Sequence, residues 1–484
     1  MSDNAAQLIR EVVAKGYQIE PKAFNLLLQM SKETNVGALI EEVIKLKGEE
    51  GNRTIKAEDI QRFTTKKDTE MKIDETELNE PLNFKVLQNY EKVKAADGVE
   101  GFRQLFLSRY QKLLALAKKR RDSGNIESIT RLEDSKLPMK VAGLIYSKTI
   151  KKGSATIILE DLTNKIEATT FEVSIIKNIQ EAPLDALVVA SITPIRKKIY
   201  TIDSITLPDI PEHVPNLSKK RLYAVLTSDL HIGNKYFLKQ AFKTFIDWLN
   251  KKDNEVALRI RYLLICGDII DGVGVYPNQE KELITADVKQ QFNEVAALLK
   301  NIPQNIQIFI SPGNHEPVRQ SIPQPPIPKE YASSLSELSN VVLVSNPVWL
   351  ELEGVKVLMY HGKSLEDVVA TTPGLKVERP ALAMKNLLKA RHLAPIYGRR
   401  TPILPTYEDL LVIDQIPDIF HTGHIHILDT ERYRGCLLIN SGTWQSQTSY
   451  QLDMGINPTP AILPIVDLST LQVITLDFTK LQQQ

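Results

Sequence analysis

Cysteine is almost absent from this chain. Its 484 residues include two, Cys266 and Cys436, each inside an apolar, strand-like run. That count excludes a disulfide framework, and the setting reads as two small core hydrophobes. An excess of one charge is missing too: 60 Lys and Arg stand against 59 Asp and Glu, a formal net charge of +1. No bulk field points to a polyanionic partner, so any contact with nucleic acid must come from local patches. No run of about 18 apolar residues occurs, which argues against a membrane-spanning helix. No basic, apolar leader opens the chain. A cytoplasmic protein with no membrane association is expected. The hydrophobic fraction of 43% and charged fraction of 25% are those of a soluble globular protein. The length suggests about two to four domains.

What the chain does have is five short polar clusters, each placed directly after an apolar run. LYAVLTSDLHIG ends in Asp229 and His231, and RYLLICGDIIDG in Asp268 and Asp271. IQIFISPGNHE ends in Asn314 and His315, VKVLMYHGKS in His361, and IFHTGHIH in His424 and His426. The incoming runs read as buried strands, and the glycines beside the clusters as tight turns. In open α/β sheets, sites form at the carboxyl ends of strands. Carboxylate, amide oxygen and imidazole together suit divalent first-row metals such as Mn, Fe or Zn. Asp229, His231, Asp268, Asn314, His361, His424 and His426 are too many for one four- to six-coordinate ion. They fit two ions sharing a carboxylate, the arrangement that cleaves phosphate esters by in-line attack. Taken singly, each cluster could be an ordinary turn. The ordered set D-x-H, GD-x-x-D, GNHE, H and GH-x-H resembles the calcineurin-like metallophosphoesterase superfamily.

Around this core the chain divides by composition. Residues 1–65 carry helical apolar stripes, among them Leu8, Ile9, Val12 and Val13 and then Val36, Leu39, Ile40, Val43 and Ile44. They predict a small helical domain suited to docking. Residues 66–136 read as a charged linker followed by a helix bearing Phe102, Phe106, Tyr110, Leu113 and Ala117. That helix ends in Lys118, Lys119, Arg120 and Arg121, which complement its dipole or touch a DNA backbone. Residues 137–212 give three strands, a short helix and two strands, the order of an OB-fold. Its aromatics are sparse (Tyr146, Phe171, Tyr200), so a packing platform is as good a reading as a DNA groove. Residues 213–484 form the metal domain, with His213 read as an exposed loop residue. An insertion at about 365–417 carries Arg391, His392, Arg399 and Arg400, either a surface helix with a basic loop or a phosphate-facing arm. The fold class is therefore multidomain α+β: a helical N-terminal domain, an OB-fold barrel and an α/β β-sandwich of metallophosphoesterase type.

In that domain order the strings GDIIDGVGVYPNQE, MYHGKSLEDVV, KARHLAPIYGRR, DIFHTGHIH and LINSGTWQSQT resemble the B-subunit family of replicative DNA polymerases. Within it they are similar to the small exonuclease subunits of archaeal family D polymerases. The resemblance covers the chain from about residue 137 onward. It implies a two-metal 3′→5′ exonuclease, with Asp229, His231, Asp268 and His426 on one ion and Asp268, Asn314, His361 and His424 on the other. Asp268 would be the shared carboxylate and Asp271 a group orienting a ligand imidazole. His315 would protonate the departing oxygen. The ions would be Mn2+, with Mg2+, Fe2+ or Zn2+ as alternatives. The implied partners are the large catalytic subunit, DNA contacted by Arg399 and Arg400, and the sliding clamp through the assembled enzyme. Glu316 stands where many relatives have Asp. Two rival readings remain: a scaffold subunit without activity, and a phosphoesterase acting on other phosphate esters.

Overall fold

The structure, a computed structural model, describes residues 12, 17–20, 22–24, 47, 54–57, 59, 80–133 and 135–481. The chain forms two units, Met1–Asn79 and Glu80–Gln484. In the first, the described residues include a parallel pairing of Gln18–Ile19 with Thr54–Ile55 and a buried ion pair of Lys47 with Asp59 at 2.7 Å. Most of the helices expected over residues 1–65 lie outside the described residues, and the strand pairing is an addition to that helical reading.

The second unit begins with a departure from the linker reading of residues 66–136. A strand, β1 (Phe84–Gln88), pairs antiparallel with Val348–Leu352, placing Lys85 opposite Glu351 at 2.9 Å. The run is short and lies within charged sequence, so composition outweighed its strand character. Helix α1 (Gly98–Lys118) follows and buries Leu105, Arg109, Tyr110, Leu113 and Ala117 along one face. Its Arg109 Nε meets Asp409 Oδ2 at 2.7 Å, and His392 Nε2 meets the same oxygen at 3.0 Å. The insertion at 365–417 is therefore partly core. His392 is fully buried and Arg391 is 3% exposed, so neither is a surface residue or a phosphate-facing one. An interior carboxylate needs such partners, and one of them, Arg109, comes from 300 residues away in sequence.

Strands β2 (Met139–Lys151), β3 (Ser154–Glu160) and β4 (Lys165–Thr170), helix α2 (Val173–Glu181), and strands β5 (Leu187–Arg196) and β6 (Ile199–Thr206) make a closed barrel. The order is β2-β3-β4-β6-β5, and β5 pairs back onto β2. Alternation places Val141, Ile145, Ile157, Leu159, Ile166 and Ile192 in its core.

The remainder is two stacked six-stranded sheets. The first holds β7 (Tyr223–Thr227), β8 (Ile260–Cys266), β9 (Gln307–Ser311) and β10 (Val341–Leu343) in parallel, with two antiparallel strands from residues 462–477 at one edge. The second is built on β11 (Val348–Leu352), β12 (Val355–Met359), β13 (Ile419–Thr422), β14 (Asp429–Tyr433) and β15 (Cys436–Asn440), with β1 at its edge. Leu226, Leu264, Cys266 and Phe309 from the first sheet face Leu350, Val357, Met359 and Ile439 from the second. Helices Lys239–Leu249 and Val288–Leu299 cover the outer face of the first sheet, where Phe242, Phe245 and Phe292 pack. Helix Pro380–Ala390 and α1 cover the second, through Met384, Leu387 and Leu105. Because both faces of β7 and β8 are covered, all their residues are buried, and their sequences are largely apolar, with Arg261 the one charged residue. His213 is a further correction: its Nε2 sits 2.6 Å from the buried Asp418 Oδ1, tying the connector to the second sheet. Among the described residues no helix is long and apolar enough to cross a membrane.

Candidate metal centre

The five clusters meet at the carboxyl ends of β7, β8, β9, β12 and β13. Asp229, His231, Asp268, His424 and His426 all have left-handed backbones, with φ between 50° and 70°. Asp and His enter that region more readily than most residues, yet each entry costs roughly 1–2 kcal/mol. The turns are held by neighbouring strand ends: Asp229 N donates to Gly267 O at 3.0 Å, and His231 N to Asp268 O at 3.0 Å.

Two groups of ligand-type atoms result. In one, His426 Nε2 lies 3.4 Å and His231 Nε2 3.8 Å from Asp229 Oδ1, and the two Nε2 atoms are 3.1 Å apart. In the other, His361 Nε2 lies 3.2 Å from both Asp268 Oδ2 and Asn314 Oδ1, and the His424 ring is 5.1 Å from that of His361. Asp268 also joins His231 and His315 in a third set of atoms close enough to share an ion. It therefore stands between the two groups.

The rings are aimed by contacts behind them. His361 Nδ1 is 2.9 Å from Cys266 O, and His315 Nδ1 is 2.7 Å from Asp271 O. A carbonyl accepts only, so each Nδ1 donates and each Nε2 faces the site. Asp271 Oδ1 stands 3.1 Å from His231 Nδ1 and Gln451 Nε2 2.9 Å from His426 Nδ1. Asn314 and His315, adjacent in sequence, point to different neighbours: Asn314 to His361, and His315 to the His231 ring at 4.6 Å. Arg400 is exposed but tethered, its Nη1 3.3 Å from Glu366 Oε2, while Glu366 Oε1 is 3.3 Å from His424 Nε2. Arg399 is exposed on the same loop.

Several of these supports carried no signal in the sequence. Gln324 donates to Gly313 O at 2.8 Å and accepts from Asn346 at 2.7 Å, while Asn346 Oδ1 accepts from His361 N at 2.9 Å. Both amides lie beside prolines, Gln324 between Pro323 and Pro325 and Asn346 before Pro347. Glu316 accepts from the backbone of Gly313, Asp268 and Ile269 at 2.6, 3.0 and 2.7 Å, so it ties two of the five turns together. Glu366 lies in the first turn of the helix Ser364–Thr371, which follows the His361 turn.

The donor set fits divalent cations. Burial opposes ionisation of Asp268, but His361 and His315 outweigh it and hold its carboxyl well below the ordinary range. His361 is pushed the other way to about 10, because Asp268 and Asp229 outweigh its burial. Asp229 is also lowered, mainly by His426 against the burial penalty. Asp229 Oδ1 and His424 Nε2 are buried and make no hydrogen bond of good geometry. Two imidazole nitrogens converging at 3.1 Å beside an unsatisfied carboxylate oxygen leave a demand that a cation meets.

Comparison with known proteins agrees with the polymerase resemblance. Residues 224–427 match the B-subunit family of DNA polymerases alpha and epsilon. The chain is 41% identical to the DNA polymerase II small subunit of Pyrococcus horikoshii over 409 residues, covering 80% of this chain and 65% of that protein. It thus spans just under two thirds of that relative's length. The Archaeoglobus fulgidus DNA polymerase II small subunit is 34% identical over 477 residues, covering 94% of this chain and 95% of its own length. The Methanothermobacter thermautotrophicus counterpart is 33% identical over 484 residues, covering 97% and 99%. An archaeal phosphodiesterase structure aligns with 53% of the chain at 14% identity and a TM-score of 0.27, too low to carry an argument. By sequence identity over nearly its full length, the chain belongs to the family of archaeal DNA polymerase II small subunits.

Proposed function

We propose that the unit from Glu80 to Gln484 is a two-metal 3′→5′ DNA exonuclease that removes mispaired primer ends for a polymerase whose large subunit is its partner. The observation that carries this reading is the place of Asp268, within ligand distance of His361 on one side and grouped with His231 and His315 on the other. Asp229, His231, Asp268 and His426 would hold one ion, and Asp268, Asn314, His361 and His424 the other, with manganese the first choice. When bound, such a pair supplies Lewis acidity toward the phosphoryl oxygens and lowers the pKa of a water.

The chain's own residues do the rest. Asp271 holds the His231 ring by its Nδ1, and Cys266 O does the same for His361. His315, 12% exposed at its side chain, keeps its Nδ1 proton on Asp271 O and turns Nε2 toward the site, where it hands a proton to the departing 3′ oxygen. Arg400 and Arg399 would lie along the strand's backbone. The barrel of residues 139–206 has the strand order and the intervening helix of an OB-fold, and serves as a platform between the nuclease and its partners. The assembled enzyme would work in the cytoplasm, meeting the sliding clamp through the large subunit.

The deciding experiment is release of mononucleotides from a mismatched primer end with manganese, by this chain with and without its large subunit. Mismatch removal that falls by about 10²–10⁴-fold in His315→Ala, with metal content kept, supports the reading. Full metal content without nucleotide release would favour a scaffold. Faster cleavage of a generic phosphomonoester would favour another phosphoesterase.

A further inference from the structure

A cleft of about 460 Å³ opens beside Asn314 and His315, and its other walls include Val273, Val275, Val288 and Lys363. That volume lies within the range of small-ligand clefts, about 300–1,000 Å³. Val273 and Val275 are 47% and 36% exposed, so two branched apolar side chains stand in water at its edge. They are not there through slackness. A Cβ on Gly272 would run into His315 O, so the loop lies directly against the His315 backbone. Buried amides clamp it from behind. Gln291 accepts from Gly272 N at 2.9 Å, Gln279 accepts from Val275 N at 2.9 Å, and Gln279 Nε2 donates to Asp271 O at 2.8 Å. Lys363 Nζ reaches only the neutral Gln320 Oε1, at 3.3 Å, and no carboxylate pairs with it among the described residues. The cleft therefore offers an apolar wall, a free cation and the edge of the chemical site, in one rigid frame.

We propose that this cleft holds the penultimate nucleotide of the strand being trimmed, its base against Val273 and Val275 and its phosphate beside Lys363. The inference rests on the exonuclease reading. In 3′→5′ trimming, the P–O3′ bond to the penultimate nucleotide breaks, and a new P–O bond forms from water. The bonding pair stays on the 3′ oxygen, which takes its proton from His315, and a nucleoside 5′-monophosphate leaves. The nucleoside bearing the departing oxygen must lie next to His315, and the cleft is what lies there. A flat apolar base covers the two valines, and the lysine meets its phosphate without base preference.

The test uses the full chain with its large subunit and manganese, on primer strands carrying one abasic tetrahydrofuran residue at either the terminal or the penultimate position. Single-turnover release of the terminal nucleotide should slow about tenfold when the penultimate base is missing, the size of losing one modest apolar contact. The Val273→Ser/Val275→Ser variant should trim intact strands about tenfold more slowly and lose most of its sensitivity to the penultimate base. Lys363→Ala should weaken strand binding and reduce its salt dependence by about one charge. Metal content and melting temperature show that each variant is folded. If the wild type trims intact strands but ignores the penultimate base, or responds only to the terminal one, the inference is wrong. If no strand is trimmed, the exonuclease reading itself fails.

Discussion

A Cβ added to Gly313 would run into Asp268 Oδ1 and lie 2.7 Å from His361 Nε2. Two strand ends, β8 and β9, approach so closely that only a hydrogen fits between them. Gly313→Ala must displace the carboxylate that stands between the two groups of metal-type ligands. Such overpacking costs about 1–3 kcal/mol of stability. A shift of about 1 Å at the site costs about 10²-fold in rate. The variant is expected to fold, bind less metal and trim DNA about 100-fold more slowly. Wild-type metal content together with the wild-type rate would show that the contact is not critical.

Asp268 and Asn314 differ in how many neighbours they serve. Asp268→Ala should lose both ions, whereas Asn314→Ala, which removes a contact to His361 alone among the imidazoles, should weaken mainly one. Elemental analysis of the two variants separates these outcomes, and full occupancy in Asp268→Ala contradicts the shared-carboxylate assignment.

The boundary at residue 80 predicts which shortened chains survive. A chain beginning at Glu80 retains β1 and α1 and should keep the melting behaviour and metal content of the second unit. One beginning at residue 137 loses Leu105 and strands Asp409 without Arg109, both of them buried. Removing one member of a buried pair costs about 3–5 kcal/mol. That shorter chain should be insoluble or melt far lower, and a stable, metal-loaded product would refute the packing role of α1.

His421 is fully buried with Ser441 Oγ 3.0 Å from its Nε2, and burial lowers its pKa to about 3. The unfolded chain takes up a proton below about 6.5, and the folded one does not until the pH nears 3. Stability is therefore lost as pH falls through that window, by up to about 1.4 kcal/mol per unit. Urea titrations of wild type and His421→Gln from pH 7 to about pH 4 should show a shallower slope in the variant. Parallel slopes would mean that His421 does not stay neutral in the fold.

The sequence by itself determined the candidate ligand residues and their order along the chain. Asp, Asn and His recur after largely apolar runs because strands buried on both faces leave most of their polar residues at the ends. Gly267, Gly313 and Gly423 were legible as turn residues for the same reason, but not the atoms they make room for. The family resemblance implied Asp268 as the shared carboxylate, but only the tertiary structure gives its distances to the two groups, because distances among five chain segments are not encoded in spacing along any one of them. It alone placed Gln324 and Asn346 behind His361, since a buried amide and an exposed one look the same in a loop sequence. It moved Arg391 and His392 from an expected surface arm into the core, where Asp409 pairs with both Arg109 and His392. It also joined Phe84–Gln88 to a sheet whose other strands begin more than 260 residues later. Pairing across such a distance depends on complementary edges that meet only in the folded chain.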